Sequence, residues 1–318
     1  MFKKFAIFSL ICLAFGQDLV FDRNLAVKDS GYAYFDNKIQ SPELMSQMGL
    51  GWNLGNSLDA YSGNSNEGLD SETSWFNPKV TNLMIYQLVA KGFKTIRIPV
   101  TWHNHIIDKK YTIDPNWMNR VKSLVDYCLK KGLFVILNVH HDNSNYHIVS
   151  YGTGYYPRFS QMDESKKFLA NIWAQICLAF NNGYDYHLIF ETLNEPRLIG
   201  DPNEWNYKQG DPSSEEFIKV VNEFNYMIHY FIRVSGGNNK SRFLLFTNGA
   251  AGFTYVTANW FYLPNDAPYN GNTKRILVSV HMYSPYDFAI DPDMSKNYFT
   301  QAHRNELDGT SISWKKNS

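Results

Sequence analysis

The chain has 318 residues, with 30 basic and 30 acidic side chains and a formal net charge of zero. That length is beyond a small disulfide scaffold, and a neutral chain with no long basic run lacks the electrostatic footprint of a nucleic-acid binder, which excludes nucleic acid as a partner. Hydrophobic residues make up 44% and charged residues 19%, ordinary globular proportions, while an aromatic share of 16% supplies more rings than a core requires.

Residues 1–16 read as a secretory signal. Lys3 and Lys4 form a basic start, Phe5 to Phe15 an apolar stretch, and Ala14-Phe15-Gly16 a small-x-small cleavage site. A secreted, extracellular protein is therefore expected. No later run reaches the ~20 apolar residues of a membrane span, so no membrane contact is expected after cleavage. Residues 17–40 form a polar lead-in, and 41–318 read as one domain without linkers or repeats.

Within that domain short apolar runs alternate with helical segments. Leu50 to Asn53 is the first predicted strand. Asn77-Pro78 predicts a helix start, with apolar residues at Leu83, Leu88 and Val89 and a stop at Gly92. The strand Thr95 to Ile98 follows. Asp114-Pro115 opens a helix carrying Val121, Leu124, Val125 and Cys128, closed by Gly132 ahead of the run Leu133 to Val139. A third helix carries Phe168, Ile172, Ile176 and Phe180, before the strand His187 to Phe190. Ser213 and Glu216 read as a capping box for a helix bearing Phe217, Val220, Phe224, Ile228 and Phe231. The strands Phe243 to Thr247 and Ile276 to Val280 complete the series. Asn239-Lys240-Ser241 is a glycosylation sequon expected on a surface loop, and Cys128 and Cys177 sit on predicted helices.

Alternating strands and helices imply parallel pairing and an α/β fold. A doubly wound sheet would carry a glycine-rich phosphate turn after an early strand, and none is present. Polar residues instead sit at the carboxyl ends of the strands, where a (β/α)8 barrel builds its active site. They are Trp52-Asn53, Arg97, His140-His141-Asp142, Asn194-Glu195 and His281-Met282-Tyr283.

Two chemistries can use this set. A metal-dependent hydrolase would recruit His103, His105, His140, His141 and Asp142. If the third strand continues through His140 and His141, however, only one of the two rings faces the centre. Glycoside hydrolysis needs a carboxyl that donates to the leaving oxygen and a second carboxylate. Glu195 is the natural acid, and Asn194 beside it can hold the sugar 2-hydroxyl. Glu191, four residues earlier, reads as a buried partner for a cation such as Arg97.

The motifs Gly51-Trp52-Asn53-Leu54-Gly55-Asn56, Ile96 to Trp102, Asn138-Val139-His140-His141-Asp142, Asn194-Glu195-Pro196 and His281 to Tyr286 resemble glycoside hydrolase family 5, subfamily 4. The likeness runs from about Ser41 to about Ala289. It implies a retaining endo-β-1,4-glucanase or xyloglucanase on a (β/α)8 barrel, needing no metal and no cofactor, acting on a β-glucan polysaccharide and monomeric when complete. Glu195 matches the acid/base and Arg97 the arginine that supports the nucleophile. His140 matches the third-strand histidine near the cleavage point, although either His140 or His141 can face the sugar. His281 and Tyr283 match the sixth-strand pair. Trp52, Trp102 and Trp260 are candidates for sugar stacking beside Asn53 and His141.

The family's nucleophile is a glutamate closing a seventh strand, and only six strands are read here. Residues 290–318 carry charges that interrupt any apolar run, and Glu306 has the wrong neighbours for the role. The domain is thus expected to lack its last strands, through truncation or a scrambled end, and a non-catalytic carbohydrate-binding remnant stands as the alternative to an enzyme.

Overall fold

The computed structural model describes residues 19–63, 67–145, 152–256, 260–291, 293 and 298–307, so the predicted signal lies outside the described residues. The chain divides into two units, residues 1–279 and 280–318.

In the first unit six strands pair in parallel, in chain order: β1 (Gly51–Asn53), β2 (Thr95–Ile98), β3 (Phe134–Asn138), β4 (Leu188–Glu191), β5 (Leu244–Phe246) and β6 (Ile276–Val278). Helix α1 (Ser41–Met48) precedes β1. Helices α2 (Asn82–Ala90), α3 (Pro115–Lys130), α4 (Met162–Ala179) and α5 (Pro212–Val234) fill the first four crossovers. This is the alternation of a (β/α)8 barrel, with six of its eight units present among the described residues.

Strand parity separates two apolar clusters. Ile96, Ile98, Val135, Leu137, Leu188, Phe190, Leu244 and Phe246 face the helices and join the main cluster with residues such as Val121, Ile172 and Phe224. The opposite parity, Phe134, Ile136, Ile189 and Phe243, forms a smaller cluster around Leu44 of α1. Helix α1 is fixed there by Ser41, whose amide and hydroxyl both donate to the Lys274 carbonyl at 3.0 Å. Further along the strands that same parity turns polar, at Arg97, Asn138, Glu191 and Ser279. The axis of the barrel therefore changes from oil to hydrogen bonds toward the carboxyl ends.

Two helix starts differ from expectation because tertiary bonds claimed the predicted caps. Helix α2 is capped by Thr81, whose hydroxyl accepts from the Met84 amide at 3.3 Å, while Asn77 donates to the Gly55 carbonyl at 3.1 Å. Helix α5 is capped by Asp211 with Pro212 at its first position. Ser213 and Glu216 are taken by Arg158, at 2.7 and 3.2 Å. Asp114-Pro115 caps α3 as predicted.

Cys128 and Cys177 are free and buried, and burial pushes both thiols up to about 12. The sequon corrects an expectation. Asn239 is fully buried, its amide donating to the Cys177 carbonyl at 3.2 Å and its oxygen accepting from Arg242 at 2.7 Å, so the folded chain does not present it. The lead-in is less detached than its polarity suggests, since Phe21 and Ala26 pack on Ala174 of α4.

In the second unit a one-turn helix spans Tyr286–Ala289, and residues 301–307 are helical. His303 lies 3.1 Å from Asp287, and the Phe288 ring lies 5.2 Å from that of Phe299.

Candidate active site

A network at the carboxyl ends of β2, β3 and β4 organises the site. The Arg97 guanidinium donates from Nε to Glu191 Oε2 at 2.8 Å, from one terminal nitrogen to Asn53 Oδ1 at 2.9 Å, and from the other to Asn194 Oδ1 at 2.7 Å. Glu191 is fully buried, and its remaining capacity is met by Asn138 Nδ2 at 2.7 Å and Ser279 Oγ at 2.6 Å. It is the buried partner of Arg97, as the sequence suggests. A buried carboxylate so completely hydrogen-bonded is tolerated, whereas an unpaired one would not be.

Glu195 lies four residues beyond β4 in a different setting. Its side chain keeps 14% exposure, and its carboxyl meets Arg197 at 3.3 Å. Arg197 in turn lies 3.2 Å from Glu204, stacks over the Trp205 ring at 4.4 Å, and receives a backbone anchor where its amide donates to Asn143 Oδ1 at 2.6 Å. Next to Glu195, Asn194 has its oxygen engaged by Arg97, which turns Nδ2 into the group it offers a ligand.

His140 and His141 both reach Asp59, their Nε2 atoms lying 3.8 and 3.7 Å from Oδ2. The strand ends at Asn138, so the alternation expected to separate the two rings no longer applies. Their centroids are 4.4 Å apart. His140 Nδ1 lies 3.0 Å from Asn138 Nδ2, and the amide's orientation is set because Asn138 Oδ1 accepts from the Val100 amide. His140 Nδ1 is thus the acceptor and Nε2 carries the proton. That points the Nε2 proton toward Asp59, 3.8 Å away, and leaves no lone pair on Nε2 for a metal. His141 is the more open of the pair and packs against Trp75 at 5.3 Å. Trp75 also packs on Tyr61 at 5.5 Å, and burial together with Asp142 pushes the Tyr61 phenol up.

The five residues of the metal reading do not converge. Asp142 is buried and holds a turn, accepting from the Trp102 and His103 amides at 2.9 and 2.7 Å and pairing with the His103 ring at 3.2 Å. His105 is buried, stacked on Trp117 at 3.6 Å and bonded to Ser71, and burial lowers it to about 3. Among the described residues, the group with ligand atoms close enough for an ion is Asp59, His140 and His141.

Two of the three candidate stacking rings are corrected. Trp102 is fully buried, with Nε1 donating to the Asn138 carbonyl at 2.9 Å, and has no face for a sugar. Trp52 pairs with Ile96, on the helix side of the sheet, opposite in parity to Asn53 and Arg97. Its ring meets Phe93 edge-on at 5.6 Å. Trp260 is half-buried against the main cluster, a packing ring first. His281 and Tyr283 lie in the second unit.

Sequence reasoning missed Asp59, Tyr61, Trp75, Arg197 and Ser279. Only Arg197 carried a usable signal, a cation two residues past the candidate acid. Asp59, Tyr61 and Trp75 lie on turns and loops that no periodicity marks, and Ser279 falls in the last predicted strand, where nothing singled it out.

The sequence model of the cellulase family, glycosyl hydrolase family 5, matches residues 59–314. It runs past Ala289, where the motif reading stops. Endoglucanase B of Ruminococcus albus is 42% identical over 258 residues, covering 80% of this chain and 56% of the relative. The chain thus spans little more than half the length of such curated relatives. Among solved structures, a broad-specificity endoglucanase of subfamily 4 from Ruminococcus champanellensis with bound cellotriose is 36% identical with a TM-score of 0.75, covering 88% of this chain and 76% of that one. A family 5 lichenase from Caldicellulosiruptor sp. F32, in complex with cellotetraose, is 34% identical with a TM-score of 0.75, covering 92% and 76%.

Proposed function

The chain belongs to glycosyl hydrolase family 5, and from that premise we propose that its protein is a secreted, retaining endo-β-1,4-glucanase with Glu195 as acid/base. The observation that carries the assignment is the contrast at the end of β4. Glu191 has its carboxylate fully committed inside the barrel, while Glu195, beside the Arg197 cation, keeps part of its side chain open to solvent.

In the first step the Glu195 carboxyl gives its proton to the glycosidic oxygen as the bond to the anomeric carbon breaks. In the second the carboxylate takes a proton from water. Asn194 Nδ2 holds the 2-hydroxyl, and Arg97 positions Asn194 through its oxygen. His140 offers its Nε2 proton at the same rim. His281 and Tyr283 match the sixth-strand pair that the family resemblance implies.

Retention also needs a second carboxylate about 5–5.5 Å from the first. Glu191 cannot serve, because attack would strip Arg97, Asn138 and Ser279 of their acceptor. The seventh-strand glutamate that the family resemblance implies has no counterpart in the six described strands. Cleavage of a leader at Gly16 and release to the exterior belong to the same proposal, supported by the basic-apolar-small pattern of residues 1–16.

The test compares the protein with its Glu195→Gln variant on carboxymethyl cellulose and on an activated aryl cellobioside. Loss of general acid catalysis lowers polymer hydrolysis by ~10²–10⁴-fold and spares the aryl substrate, whose leaving group needs no proton. Equal losses on both substrates, or near-normal polymer hydrolysis, would remove Glu195 from the role.

A further inference from the structure

Phe76 combines two features that folding does not reward. Its side chain is 99% exposed, the most open of the large apolar residues described, and its backbone sits at φ 67°, in the left-handed region. A residue with a Cβ pays about 1–2 kcal/mol to stand there, and glycine would not. Tyr111 has a similar φ of 59°, but its ring is buried and contributes to the core. Phe76 has no such return from the fold.

The surrounding turn is held firmly. The Phe76 amide donates to the Thr73 carbonyl at 3.1 Å, Asn77 Nδ2 to the Gly55 carbonyl at 3.1 Å, and Trp75 Nε1 to the Tyr61 carbonyl at 2.8 Å. Those bonds tie it to the chain leaving β1, and the Trp75 ring contacts His141 of the Asp59 cluster. Phe76 is therefore displayed from a firmly held turn next to Trp75, whose ring contacts the Asp59 cluster. Backbone strain retained at such a place is a mark of use.

We propose that Phe76 is a sugar-stacking ring that extends the cleft past Trp75 and His141, taking the flat apolar face of a pyranose in a β-linked glucan. This rests on the glucanase reading, which supplies the occupant. The ring gives a long glucan chain an additional contact, and the backbone turn that carries it is already ordered before the sugar arrives.

Phe76→Gly provides a clean test because glycine suits φ 67° and removes only the ring. Retardation in native gels containing soluble mixed-linkage β-glucan is measured for the full chain with Glu195→Gln, which leaves the polymer uncut, with and without Phe76→Gly. Starch gels serve as the control. Phe76→Gly should weaken retention by about 3–10-fold, the range expected for one ring contact, at an equal or higher melting temperature. Retention unaltered by Phe76→Gly, or weakened only in step with a fall in melting temperature, overturns the role of Phe76 alone. A parent that no β-glucan retards overturns both this role and the glucanase reading.

Discussion

Arg97–Glu191 and Arg197–Glu195 are two arginine–glutamate pairs near the end of β4 that treat their carboxylates in opposite ways. The arginines are similarly shielded, with 17% and 19% of their side chains exposed, but Glu191 keeps 1% and Glu195 14%. Glu191 closes a network of three partners, Arg97, Asn138 and Ser279, and is the keystone of the polar layer above the apolar axis. Glu195 has a longer contact of 3.3 Å with a cation that is itself shared with Glu204. What separates a structural from a reactive carboxylate is thus not residue type or strand but how far its side chain is withdrawn from solvent. Four residues of chain are enough to change that.

The largest effect expected from this contrast is on stability at the inner pair. Glu191→Leu leaves the Arg97 guanidinium shielded and without its counter-charge, which costs about 3–5 kcal/mol. Urea unfolding followed by tryptophan fluorescence reads it directly. A loss under 1 kcal/mol would mean that water relieves Arg97 and that the two pairs are alike.

Acid sensitivity gives a second handle, located away from both pairs at His105. Its native form stays neutral down to about 3, whereas the unfolded chain takes up the proton near pH 6.5. Unfolding therefore binds a proton between those values, and stability falls as pH drops through that window, by about 1.4 kcal/mol per pH unit from this residue. In His105→Gln the slope of stability between pH 6.5 and 4.5 should be shallower by that order. Superimposable slopes would show that the ring is not buried in its neutral form.

The smallest effect belongs to the outer pair. Arg197→Gln should change unfolding free energy by only about 1 kcal/mol, because Glu195 keeps more contact with solvent than Glu191 does. A loss matching that of Glu191→Leu would erase the distinction.

The barrel was legible because its strands are continuous apolar runs and its helices carry apolar residues at helical spacing. Glu195, Asn194 and Arg97 were legible because polar residues at strand ends stand out against those runs. The tryptophans were not. Trp52 and Trp102 lie in motif segments, but which face a ring takes depends on register and on where the chain bends after the strand. The helix caps failed for a related reason. Asn77, Ser213 and Glu216 have the right chemistry for caps, yet distant carbonyls and Arg158 offered them tertiary bonds instead. His140 and His141 show the converse, since a strand that stops at Asn138 lets adjacent rings share one carboxylate. Phe76 carried no signal at all, because only the backbone angle makes an exposed phenylalanine unusual.

The most direct measurement of the account is azide rescue of Glu195→Ala acting on an activated aryl β-cellobioside. With the acid/base gone and its space open, azide should attack the glycosyl intermediate, restore turnover and give β-cellobiosyl azide, the retained product. An α-configured azide would make Glu195 the nucleophile. Absence of rescue in a folded variant would show that Glu195 does not border the reacting carbon.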